Sequence, residues 1–178
     1  PILTTRLPGI EKQLLTFLLR NLRVNFYNTR YLLLNLFGIP VIGAIIAIII
    51  RLLEYENYAF GTNSYYPLFL FLSVNYIFFA GLLTGSQELF NEKRLLKRDL
   101  ALNISLFSYK NSKLLFLFLV SFIQTIIFVV TSNIILKVEQ MTIAHFTIFF
   151  SLAALSNMLA LALSVSLRKI STMYILIP

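Results

Sequence analysis

Four long stretches of this chain carry no charge and are apolar for most of their length. Tyr31 to Ile50 is twenty uncharged residues, Asn57 to Gln87 thirty-one, Leu114 to Leu136 twenty-three and Gln140 to Leu167 twenty-eight. In the second stretch the apolar part begins near Pro67. A run of about 18 residues with few charges is long enough to cross the ~30 Å hydrocarbon layer as a helix. The pattern therefore predicts an all-α, polytopic transmembrane bundle with spans at about 31–52, 66–87, 114–136 and 143–167. A fifth span is expected to start at Ile170. Because nine residues after Lys169 cannot cross a bilayer, and the chain opens on Pro1, the expectation is a piece of a longer protein. Residues 1–30 read as an arm preceding a membrane domain that occupies 31–178.

Within that arm the apolar period changes. At 100° per residue, Lys12, Arg20, Arg23 and Arg30 fall within about 80° of one another, while Leu14, Leu15, Leu18, Leu19, Leu22 and Phe26 occupy the opposite arc. This is the pattern of an amphipathic helix lying in a membrane interface. A linker helix whose leucines pack on protein has the same period. Between the second and third spans lies the most polar segment, Glu88 to Asn103. Its charges recur at four-residue spacing, as Glu88/Glu92, Lys93/Lys97 and Arg94/Arg98, and form stripes along a predicted helix. Such a helix is suited to meeting another protein. A solvated connector is the plainer reading, although the five acidic and basic residues within Glu92 to Arg98 exceed what topology alone needs, because Glu contributes little to orientation.

Composition sharpens the class. Hydrophobic residues make up 58% of the 178 and charged residues 12%, against about 25% charged in soluble domains. The formal charge is +8, which in a soluble protein would point to nucleic acid; here it marks topology, and no nucleic-acid partner is expected. Thirteen of the fifteen Lys and Arg fall in the arm, the loop after the second span or the end of the fourth, leaving Arg51 and Lys137 opposite. The positive-inside rule puts the first group, and the N-terminus, in the cytoplasm. There is no cysteine, so thiolate chemistry and cysteine metal sites are absent.

Candidate chemistry is sparse. The sequence Gly38 to Gly43, GIPVIG, has the glycine spacing of a phosphate loop but lacks its lysine and sits inside a span. Gly81 and Gly85 form a G-x-x-x-G, the spacing that lets helix backbones approach, either within the bundle or between copies. Asn75, Gln124, Thr125, Asn133, His145 and Asn157 are polar at depth, where a side chain needs a partner or a wet cavity. Asn75, flanked by Phe78 and Phe79, and Gln124 are the candidates for a substrate cavity. One histidine, with only Glu139 near it in sequence, is too little for a metal site. No catalytic residue and no bound metal are expected.

The order of these parts resembles the membrane domain of ABC exporters of the G subfamily and their bacterial relatives. The family pattern is roughly E-x-x-x-E-[KR]-x-x-x-x-R-[DE], then S-x-x-[SA]-Y-x-x-[SA]-K before an apolar helix. Glu88, Glu92, Lys93, Arg98 and Asp99 match the first part, and Ser105, Ser108, Tyr109, Ser112 and Lys113 the second. The resemblance implies a six-span domain, of which this chain would supply the connecting helix (about Glu11 to Thr29), four spans and the start of a fifth. It implies pairing of two copies around a central cavity. ATP and magnesium would act at a separate nucleotide-binding domain. Glu88, Glu92, Lys93, Arg94, Arg98 and Asp99 would then form a cytoplasmic coupling helix receiving motion from that domain. The implied function is export of a hydrophobic or amphipathic substrate. A bacterial plasma membrane is the expected location, since the acidic spacing is like that of bacterial members and the Ile, Asn, Lys, Phe and Leu usage suits an AT-rich genome. A membrane scaffold docking a cytoplasmic partner through the basic loop is the alternative. A membrane enzyme would need converging ionisable residues that the spans lack.

Overall fold

A computed structural model describes residues 9–27, 29–54, 61, 63–91, 105–138 and 140–166. They form five helices: α1 (Ile10–Tyr27), α2 (Thr29–Leu53), α3 (Tyr66–Asn91), α4 (Leu106–Leu136) and α5 (Thr142–Ser166), with no strand among the described residues. In hydrocarbon each backbone N–H and C=O must be satisfied within its own segment, and a helix does this without a partner. Segments long and apolar enough to cross a membrane are Leu36–Leu53, Tyr66–Ser86, Phe107–Leu136 and Thr142–Ser164. The predicted charged helix after α3, with Glu92, Lys93, Arg94, Arg98 and Asp99, and the predicted start of a fifth span lie outside the described residues.

The largest departure from the pattern of uncharged stretches is the start of α4, at Leu106 where residue 114 was expected. Lys110 and Lys113 end the uncharged interval, but a charge limits how deep a segment sits and leaves its helical bonding intact. Ser105 sets the start locally. Its backbone is extended (φ −66°, ψ 115°), and its hydroxyl accepts the Ser108 N–H at 3.4 Å. The resulting 31-residue helix is about 46 Å long, well over the thickness of the hydrocarbon layer.

Helices α2 to α5 close a ring. α3 packs most closely on α5 and α2 on α4; the α4/α5 and α2/α3 contacts complete it, so α3 and α4 stand diagonally opposite. α1 lies outside the ring against α4, with a smaller contact to α2. The core between the spans is built from Ala47, Ile50, Phe69, Ile77, Phe128 and Phe149, with the last two rings edge-to-face at 5.4 Å. Close approach depends on missing side chains. A Cβ on Gly43 would collide with the Phe128 ring, one on Gly81 with the Ser156 hydroxyl, and one on Gly85 would lie 2.7 Å from the Ala160 Cβ. The Gly81/Gly85 pair therefore seats α3 on α5 inside the chain. Large apolar residues such as Phe37, Ile45, Leu119, Phe122, Leu155 and Leu159 point outward, as expected of surfaces solvated by lipid.

The α4–α5 turn is a Schellman motif with an unusual residue. Val138 N–H reaches Asn133 O at 3.0 Å and Lys137 N–H reaches Ile134 O at 3.4 Å, with Lys137 left-handed at φ 48°. Val138 tucks back into the core.

Candidate functional site

The strongest concentration of buried polar chemistry lies where α1, α3 and α4 meet. On α3, Glu88 is one turn short of the C-terminal end; on α4, Lys113 is two turns from the start. Lys113 is fully buried and Glu88 nearly so (4% exposed), and Lys113 Nζ donates to Glu88 Oε1 at 2.7 Å. The same oxygen accepts from Asn25 Nδ2 of α1 at 3.0 Å. Since α3 and α4 are diagonal in the ring, the long lysine arm is what carries the contact across. An ion pair withdrawn from water gains only if its geometry is good and its lone pairs are otherwise bonded. The amide of Asn25 supplies the second bond.

The rest of the Ser105–Lys113 motif serves the same junction. Ser105 N–H donates to Gln13 Oε1 at 3.1 Å, and the Ser108 hydroxyl donates to the Ile10 carbonyl at 3.0 Å. Tyr109 meets Phe17 edge-to-face with centroids 5.8 Å apart. Ser112 turns its hydroxyl onto the Tyr109 carbonyl, which leaves a small surface. Positions 105, 108, 109, 112 and 113 share one face of a helix at three- and four-residue spacing. That face is where the first helix docks, from Ile10 through Phe17 to Asn25.

This docking divides α1 into three faces. Phe17 and Asn21 are buried against the bundle, Lys12 and Arg23 are exposed, and Leu15, Leu19 and Phe26 remain 56, 56 and 60% exposed. The leucine arc that the sequence sets opposite the basic residues is therefore only partly spent on protein contacts.

At the other end of the bundle, His145 ties three helices together. Asn133 Nδ2 donates to Thr142 Oγ1 at 3.0 Å, which turns Asn133 Oδ1 toward His145 Nδ1, also at 3.0 Å. The ring is then a donor at Nδ1 and an acceptor at Nε2, where the Tyr66 hydroxyl donates. Phe149 stacks on the imidazole. Nearby, Arg51 donates to the Ile135 carbonyl at 3.2 Å. Among the described residues no group of three His, Asp or Glu is placed to hold a metal.

The four cavity candidates do not converge within one chain. Asn75 is half-buried on the face of α3 opposite Ser73 and Ile77, and its amide donates to the Phe71 carbonyl of its own helix at 2.8 Å. Phe78 and Phe79 pack edge-to-face beside Leu82 and Leu163. Gln124 is buried inside the ring, along a small void. Of the coupling residues, only Glu88 is described, and it is one of the few buried charges among the described residues. The sequence reading missed its partnership with Lys113, twenty-five residues on. The available signal was two opposite charges at the same end of two adjacent spans, both inside the matched motifs.

A bundle of four apolar spans with a buried ion pair and an outer helix at one end defines an integral membrane protein. The family model described as ABC-2 type transporter matches residues 12–178. The chain belongs to this family and is a transporter membrane domain, a transport component. Searches of curated proteins and of solved structures return no match.

Proposed function

We propose that this permease domain is one half of an ATP-driven exporter for a hydrophobic or amphipathic substrate, with motion entering at the Glu88 end. The observation that carries the reading is the Glu88–Lys113–Asn25 junction. One carboxylate oxygen binds α1, α3 and α4 together at the point where the charged segment 92–104 leaves α3. A displacement applied to that segment by a nucleotide-binding domain would move three helices as a unit. Glu92, Lys93, Arg94, Arg98 and Asp99 supply the contact surface, and ATP with magnesium is hydrolysed on the partner domain. The N-terminus and this junction face the cytoplasm, as the thirteen basic residues on that side support, and a bacterial plasma membrane is the setting. Asn75, Phe78 and Phe79 lie on a face of α3 that a second copy would close over to form the substrate cavity. Gln124 is assigned to the bundle interior, where it stabilises packing.

The test is reconstitution with the nucleotide-binding partner in liposomes carrying an amphipathic fluorescent dye. ATP-dependent dye movement away from the face bearing that partner, lost when Glu88 is changed to Gln, is the expected result. Movement toward that face refutes export. ATP hydrolysis with no movement of any amphipathic probe favours the scaffold reading.

A further inference from the structure

At the centre of the ring, all four spans border a void of about 10 Å³. Ile39, Gly81 and Ala153 form apolar walls, but α4 presents Ser121, Gln124 and Thr125 to the same space. All three are buried. About one probe sphere of volume is what a single water requires, provided two to four polar groups receive it. The hydrogen-bond ledger of the wall supplies them. Ser121 Oγ accepts from Asn157 Nδ2 at 2.7 Å, so its own hydrogen is left to donate, with no acceptor among the described residues. Thr125 Oγ1 donates to the Ser121 carbonyl at 2.7 Å, so its lone pairs are left to accept.

We infer that this void is a binding site for one ordered water in the middle of the membrane, accepting from Ser121 and donating to Thr125. The site matches a leftover donor with a leftover acceptor: the Ser121 hydrogen, and the Thr125 lone pairs that remain once the Thr125 hydrogen is given to the Ser121 carbonyl. It also keeps this polar wall bonded beside α3 without a direct bond between side chains. The inference does not depend on the direction of transport or on the substrate.

Hydroxyl-radical footprinting by X-ray pulses on the protein in lipid nanodiscs tests it, because radicals form at ordered waters as well as in bulk. Phe128 lines the void and is fully buried; Phe69 and Phe116 are as well shielded but do not line it. The expected result is several-fold faster oxidation of Phe128 than of either control, falling to the control rate in the Ser121→Ala/Thr125→Val double variant. A Phe128 rate equal to the controls overturns the proposal, as does a high rate that the double variant leaves unchanged. If the double variant does not fold, the isosteric Thr125→Val alone must lower the Phe128 rate, and an unchanged rate there also overturns it.

Discussion

Replacing Lys113 with Met isolates what the buried ion pair contributes. Met has similar length and volume, so packing around the fully buried arm changes little, but among the described residues Glu88 keeps a charge with only the Asn25 amide, at 3.0 Å, beside it. Removing one member of a buried pair costs about 3–5 kcal/mol, chiefly because the other charge is stranded. Even the lower figure shifts the folded-to-unfolded ratio by about two powers of ten. Changing Glu88 to Gln in the same chain removes the stranded charge and preserves an acceptor for Asn25. The double variant Glu88→Gln/Lys113→Met should therefore recover most of the loss, since replacing both partners of such a pair is often neutral or better. Stability is read as the denaturant midpoint in detergent micelles and as the fraction still monodisperse after heating. A Lys113→Met protein as stable as the parent would show that the pair is not buried as the structure has it. A double variant as unstable as the single one would refute the stranded-charge argument. The double variant also tests transmission: a stable protein whose substrate-stimulated ATPase activity has fallen supports the proposed route, and full activity removes it.

Four further outcomes follow from the geometry. Gly81→Ala forces a methyl onto Ser156 and should cost about 1–3 kcal/mol, whereas Gly38→Ala, with nothing within 4 Å of the new carbon, should be neutral or stabilising by thermal denaturation. Lys137→Gly relieves a left-handed backbone and should stabilise by about 1 kcal/mol, seen as a higher melting temperature. Tyr66→Phe removes the donor to His145 Nε2 and should lower stability by about 1–3 kcal/mol, measured by the same denaturant titration. For topology, Asn63 is buried and its side-chain oxygen accepts the Tyr65 N–H, whereas Ser64 is exposed and suits a single cysteine. Ser64→Cys should react with an impermeant maleimide from outside and Lys110→Cys only after permeabilisation; equal labelling from outside contradicts the orientation.

What the sequence determined by itself was the class, the four spans found among the described residues, and the family. Each is written in one dimension. An uncharged run of twenty residues has one low-energy fate in a bilayer, and the matched acidic and Ser-Tyr-Lys motifs lie in contiguous stretches. The helix ends were legible where charge and helix stop together, as at Leu136, and not where they part, as at Leu106, because capping by Ser105 and burial of Lys113 override the charge signal. The side of each span that meets a partner was decided only by tertiary structure. Asn75 and Gln124 are equally polar residues in apolar helices, yet one bonds to its own helix on the outer face of α3 while the other lines the ring's centre. Helical period gives a direction around an axis but not which neighbour stands there. The same holds for Glu88 and Lys113: their charges were visible, and their pairing was not, because it spans the diagonal of a ring whose order the sequence does not state. Likewise Gly81 and Gly85 announced a close approach, and only the packed helices showed that α5 makes it.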